Sequence, residues 1–206
     1  MFQKEIKMPQ VIWIAIFFAV LIWSGIHPKD YFTWFLEVVP ALIGFGILVA
    51  TFKKFRLTSL AYVLILIHCI ILMIGGHYTY AEVPLFNWLR DVFDLGRNNY
   101  DKVGHLAQGF IPAIIAREIF IRKSVINGAA WRNFLIVCFC LAVSAFYELI
   151  EWWVGLLSGE SAEAFLGTQG YVWDTQSDMG LALAGAISSL VLLSKWHDKQ
   201  LKAFSG

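Results

Sequence analysis

The chain has 206 residues, of which 59% are hydrophobic, 16% aromatic and only 15% charged, with a mean hydropathy of +0.66. This is too apolar for an ordinary soluble domain, so soluble enzymes and secreted disulfide scaffolds are set aside, and residues 1–206 read as one integral membrane domain. The formal net charge is only +1; how the charges are distributed carries more information.

In chain order, apolar runs fall at about Val11–Ile26, Phe32–Phe52, Leu57–Gly75, Val103–Ile121, Asn133–Leu157 and Asp178–Trp196. Each approaches the roughly 20 residues needed to cross about 30 Å of hydrocarbon. The expected fold is therefore all-α, a polytopic bundle of about six transmembrane helices. The first run is the shortest, and its flank Trp23-Ser24-Gly25-Ile26-His27 lacks a small-x-small cleavage site, which predicts an uncleaved anchor. Between the third and fourth runs, Pro84 near the start and Gly96 at the end punctuate a short amphipathic segment. Its apolar face is formed by Leu85, Leu89, Val92 and Phe93, as expected of a helix lying in the membrane interface. The last loop, Gly167 to Asp174, follows an acidic stretch at Glu160 to Glu163 and reads equally as a lid or an interfacial turn. Cys69, Cys138 and Cys140 all lie within apolar runs, where packing is the expected role; two apart on a helix, Cys138 and Cys140 point to different faces.

Basic residues divide unevenly between alternate loops. Lys4, Lys7, Lys53, Lys54, Arg56, Arg117, Arg122, Lys123, Arg132, Lys195, Lys199 and Lys202 fall on one side; Lys29, Arg90, Arg97 and Lys102 fall on the other. The positive-inside rule then predicts that both termini are cytoplasmic and that three loops face outward.

The ionisable residues inside the spans concentrate in the outward half. An ionisable group in hydrocarbon costs roughly 2.5–3.5 kcal/mol on insertion scales and persists where it pairs, faces a cavity or performs chemistry. His77 closes the third span, and Asp101 and His105 stand four apart on one face of the fourth. Glu148 and Glu151 lie three apart on the fifth, and Asp174 and Asp178 repeat the four-residue spacing at the sixth. Glu37 lies at a similar depth in the second span. His77, His105, Asp174, Asp178 and Glu148 make a mixed imidazole and carboxylate set suited to a divalent metal, and Glu148, Glu151 and Asp101 are the candidate acid–base residues. Taken singly, Asp101 also reads as a helix cap, His77 as a solvated loop histidine and Glu151 as reaching the headgroups. His68, alone in mid-span, is expected to hydrogen-bond between helices.

These motifs, Gly76-His77-Tyr78-Thr79-Tyr80, Asn99 to His105, Glu148-Leu149-Ile150-Glu151-Trp152 and Gly170 to Asp178, resemble those of the YjdF-like bacterial inner membrane proteins across nearly the whole chain. A smaller set, Asp101, Lys102, His105, Glu148, Asp178 and Gly185, is similar to VanZ-like proteins, which are associated with glycopeptide tolerance. Glu151 stands where that pattern has Gln, and Ala182 where it has Asn. The resemblance implies an inner membrane location and a site facing the periplasm; it names no substrate.

Three functions follow as expectations. The first is a membrane-embedded enzyme, metal-dependent, acting on a lipid or cell-envelope substrate. The second is a proton-coupled transporter, and the third a non-catalytic binding or scaffold protein whose polar cluster holds helices together. The partners expected are membrane lipids and a lipid or envelope ligand, not nucleic acid.

Overall fold

The computed structural model describes residues 7–158 and 171–204. Seven α-helices run in chain order: α1 (Lys7–Gly25), α2 (Tyr31–Thr51), α3 (Ser59–Tyr78), α4 (Pro84–Phe93), α5 (Tyr100–Arg122), α6 (Ala129–Ser158) and α7 (Asp174–Leu201), the last continuing into a 3-10 turn at Lys202–Phe204. No strand occurs among the described residues. The protein is a polytopic membrane helix bundle. By length and composition α2, α3, α6 and α7 are each able to cross a bilayer. The apolar part of α1, Gln10–Gly25, is shorter, and α5 is more polar, carrying Asp101, Lys102, His105, Arg117, Glu118 and Arg122.

The helices extend beyond the apolar runs that announce them. α5 starts at Tyr100, α6 at Ala129 and α7 at Asp174, and α7 continues to Leu201. Hydropathy marks where the chain meets hydrocarbon, whereas the helical backbone continues into the polar turns on either side. Starts are set by caps: Asp30 accepts a hydrogen bond from the Thr33 N–H (2.6 Å) and Thr58 from the Ala61 N–H (3.3 Å). Asp101 lies in the first turn of α5, after the N-cap residue Asn99, and accepts from the Lys102 N–H (2.8 Å).

The polar α5 sits at the centre. It packs against α3, α6 and α7, and buries Gly104, Ala107, Gly109, Ala113 and Ala116. These small residues let backbones approach closely, the usual route to tight helix association in lipid. A Cβ on Gly109 would overlap the carbonyl of Ala182 in α7, and one on Gly185 would overlap the carbonyl of Leu106 in α5. α5 and α7 run parallel, so their first turns, with Asp101, His105, Asp174 and Asp178, lie at the same end of the bundle. On the other flank α1 leans on α2 and α3 through the buried Phe17, stacked on Trp13 (5.5 Å) and Phe45 (4.8 Å), and through a hydrogen bond from Trp13 Nε1 to the Tyr62 carbonyl (2.7 Å).

α4 forms at the predicted place, with Pro84 in its first turn; its C-cap is Asp94 in the left-handed region (φ 50°) rather than Gly96. Leu85, Trp88, Val92 and Phe93 are exposed, while Phe86 packs edge-on to Tyr100 (5.2 Å). The helix thus presents an apolar face outward, as an interfacial helix does. Cys138 is exposed and Cys140 buried, and all three cysteines are free. The acidic stretch Glu160 to Glu163 and residues 167–170 of the proposed lid lie outside the described residues; Tyr171, Val172 and Trp173 are exposed.

Candidate functional site

At the α4 end of the bundle, α5, α6 and α7 bring His105, Glu148 and Asp178 together. One ligand atom from each falls within 4.8 Å of the other two. His105 Nδ1 is 3.8 Å from Glu148 Oε1, and His105 Nε2 is 3.8 Å from Asp178 Oδ2, too long for hydrogen bonds. His105 Nδ1, Glu148 Oε1 and Asp178 Oδ1 have no hydrogen-bond partner, although the side chains are only 11%, 9% and 8% exposed. Buried polar atoms are normally paired. An ion can take only one His105 nitrogen; with one ligand atom from each side chain the three fall within 4.8 Å of one another, a span that admits the roughly 3.4 Å between two ligands each about 2.1 Å from one ion at a tetrahedral angle. Imidazole and carboxylate are donor types that hold a divalent cation.

Asp101, Asp174 and Asp178 form a second group with ligand atoms within 4.8 Å of one another. Here a cation is built in. Arg97, in the turn before α5, pairs with Asp101 Oδ2 and donates to Asp174 Oδ2 at 2.7 Å. Burial alone would lower the pKa of the Arg97 guanidinium, but Asp174 and Asp101 outweigh it and hold the group above its ordinary value. Asp178 belongs to both groups, so Arg97 fixes the edge of the site while its other edge stays open.

The two groups line the end of a cavity of 1460 Å³ bordered by α2, α3, α5, α6 and the start of α7. Glu37 of α2 faces them from the opposite wall, with its Oε2 3.4 Å from the Tyr147 hydroxyl and Tyr80 on its other side. Tyr80 reaches there because Thr79 and Tyr80 adopt consecutive left-handed conformations (φ 61° and 51°). A non-glycine residue pays of order 1–2 kcal/mol for that region. The bend lays the Tyr80 ring against Gly75, where a Cβ would collide with it, and against Gly104. Burial first, and the Glu37 carboxylate second, push the Tyr80 phenol well above its ordinary pKa, so it stays a neutral hydrogen-bond donor.

Of the residues singled out from sequence, Asp101, His105, Glu148, Glu151, Asp174 and Asp178 all line this cavity. Glu151 lies on the cavity wall outside both ligand groups. His77 lies elsewhere. Its Nδ1 is 3.0 Å from the Ser24 carbonyl and its ring packs on Trp23 at 4.6 Å, in the seam between α1 and α3. Placing it with the metal set required only similar depth, and depth does not fix which side of a helix faces the site. His68 has no hydrogen bond to another helix; it lines the cavity, because the gap between α2 and α5 leaves no partner opposite it. Arg97 was passed over as a loop cation, although its four-residue spacing to Asp101 was readable as a pair. The Glu37 role depends on the Tyr80 bend, for which the sequence gives no local signal.

A family described as "Predicted membrane protein (DUF2238)" matches residues 9–199. The chain belongs to that family. It is 49% identical over 185 residues to the inner membrane protein YjdF of Escherichia coli strain K12, a match covering 90% of this chain and 88% of that protein. No solved structure matches. The family assignment, the relative and the apolar helices together make this a multi-pass inner membrane protein.

Proposed function

We propose that the protein is a metal-dependent enzyme of the inner membrane, acting from the periplasmic side on a lipid or envelope-linked substrate. The observation that carries this reading is the convergence of His105, Glu148 and Asp178, each with a buried unpartnered atom, at the polar end of a large cavity. The orientation rests on the twelve basic residues of alternate loops, which put both termini in the cytoplasm and the cluster near the periplasm.

His105, Glu148 and Asp178 would hold a divalent ion, which would supply Lewis acidity toward a carbonyl or phosphoryl oxygen, or an activated water. Glu151, lining the same cavity but outside the ligand group, would be the carboxyl that exchanges a proton with water or with the leaving oxygen. Asp101, tied to Arg97, holds the rim rather than moving a proton. A proton-coupled carrier requires a polar route through both halves of the bilayer. Toward the basic end the cavity walls are Ile115, Ile119 and Phe120, and the buried Glu118 there is engaged by its neighbours, so transport has less support.

Elemental analysis of gently purified protein tests the reading. Wild type is expected to carry about one zinc, manganese or iron per chain, and His105→Ala and Glu148→Ala to lose it while inserting normally. Wild type that is metal-free on purification and takes up none of these ions at equilibrium overturns the metal assignment.

A further inference from the structure

The cavity does not end at the polar cluster. From His105 its wall follows α5 past Pro112 and Ile115 to Ile119 and Phe120, fourteen residues from His105 to Ile119, or about 21 Å of helix. Half of a hydrocarbon core is only about 15 Å. The inner part joins a second cavity of 470 Å³ with which it shares Gly44, Ile47 and Ile115. Beyond Gln108, His68 is the one polar side chain among the described wall residues until the second cavity reaches Thr51 and Lys123.

This long apolar space is open on one side. α2 and α6 flank it, joined at the polar end by the Tyr147 hydroxyl donating to Glu37 Oε2 at 3.4 Å, but do not pack along each other below that point. The residues bordering the gap are large and apolar: Ile43 and Ile47 of α2 are each 57% exposed, and Phe146 of α6 is 55% exposed. In a bilayer such a gap faces acyl chains, and apolar surface at that depth is met by hydrocarbon rather than by water. Among the described wall residues the carboxylates stand at one end only, with His68 midway and Thr51 and Lys123 at the far end of the second cavity, so an occupant with its polar part at the carboxylates lays its chain along the rest.

We propose that a membrane lipid enters sideways between α2 and α6 and lies with one hydrocarbon chain along the α5 wall past the midplane and its polar head against His105, Glu148 and Asp178. This rests on the enzymatic reading above and names its substrate class: a long-chain amphiphile, bound from within the membrane, whose reactive bond lies at the head. Chains that fill the space to Ile119 are longer than one leaflet.

Gly44 offers a test that leaves the metal ligands untouched. A Cβ there meets nothing within 4 Å, yet the residue lines both cavities, so Gly44→Phe adds a ring at the channel wall from an unobstructed Cβ, and Gly44→Ala serves as the small control. Wild type and both variants are reconstituted into phosphatidylethanolamine–phosphatidylglycerol vesicles containing a trace of phosphatidylglycerol with a diazirine either at the tail end or near the glycerol. After illumination, adducts are mapped by mass spectrometry. In wild type the tail-end probe is expected to label the Ile115–Ile119 stretch and the glycerol-end probe the turn around Gln108 and Tyr147. Gly44→Phe should lose both sets at least tenfold, Gly44→Ala should keep them, and adducts on the outward face of α1 at Val11 and Ile22 should not change. Metal content is measured on the same samples, so loss of adducts with metal retained separates this proposal from the metal assignment. Labelling spread evenly over all outward faces and indifferent to Gly44→Phe overturns it.

Discussion

Gly109→Ala adds a single methyl group to α5, and its effect follows from the seam between α5 and α7. The new Cβ would overlap the Ala182 carbonyl and lie 2.8 Å from the Ala182 Cα. Comfortable contact between such atoms is about 3.5–4.0 Å. Because the obstacle is backbone and not the end of a flexible side chain, the two helices must part by on the order of 1–2 Å. Overpacking of this kind costs about 1–3 kcal/mol, which for a chain of this size corresponds to roughly 2–12 °C in Tm.

The consequence for the site is sharper than the consequence for the fold. His105 lies four residues before Gly109 and Asp178 four residues before Ala182, about 6 Å along each helix, so the displacement is passed directly to the 3.8 Å separation between His105 Nε2 and Asp178 Oδ2. Metal sites hold their distances within about 0.2 Å. Gly109→Ala is therefore expected to lose bound metal although it removes no ligand, and Gly46→Ala, whose Cβ meets nothing within 4 Å, is expected to be silent. Elemental analysis and thermal unfolding in detergent read the two effects separately. A Gly109→Ala protein with the metal content and Tm of wild type would show that the α5–α7 seam does not set the site geometry.

Arg97→Ala removes the built-in cation from between Asp101 and Asp174, and a titration with manganese is expected to show a second, weaker site using Asp101, Asp174 and Asp178; an unchanged single site counts against the division of the cluster argued above. Glu118→Ala, at the opposite end, leaves His197, Arg122 and Thr58 without their common acceptor and should cost roughly 3–5 kcal/mol, or about 6–20 °C in Tm, while metal content in the surviving folded protein stays at the wild-type level. For topology, single cysteines at Leu95 and Lys53 in a background lacking Cys69, Cys138 and Cys140 are expected to react with an impermeant thiol reagent added outside intact cells at Leu95 only; the reverse pattern inverts the orientation.

The fold was legible because hydropathy works on long runs. Six apolar segments and the Pro84-initiated segment all form helices, and the errors lie at their ends, where capping by Asp30 and Thr58 or an early start at Asp174 is decided by a few polar residues. The site was legible in part. Four-residue spacing puts Asp101 with His105, and Asp174 with Asp178, on the same helical faces, and similar depth suggested that they meet. Depth alone also admitted His77, which faces the α1 seam and bonds to Ser24 instead. The approach of α5 to α7 depends on Gly109 and Gly185 meeting particular carbonyls, a relation between residues far apart in sequence. Tyr80 reaches Glu37 through two left-handed residues that have no glycine to announce them.

The intramembrane ionisable groups nevertheless fall into two kinds, and the distinction between them is physical. At the basic end, the fully buried Glu118 accepts from the Thr58 N–H (2.9 Å), the Thr58 hydroxyl (2.7 Å) and Arg122 (2.7 Å), and lies 3.2 Å from His197 Nε2. Arg117, beside it, donates to Asp198 at 2.6 Å. This carboxylate has its needs met from α5, α7 and the turn before α3, and such a network fastens the end of α7 to α5 and to the start of α3. His105, Glu148 and Asp178 are similarly deep and similarly charged in the sequence, yet each retains an unmet atom and together they border a cavity. In a low-dielectric interior an unmet polar atom is costly; the proposed ligand would complete the outer cluster, whereas at the basic end the carboxylate is met and only Arg117 Nε, among the groups of that network, lacks a partner. Sequence sees both as charges in hydrocarbon; the partners of each carboxylate, and the cavity that borders one cluster, separate the fastening from the candidate site.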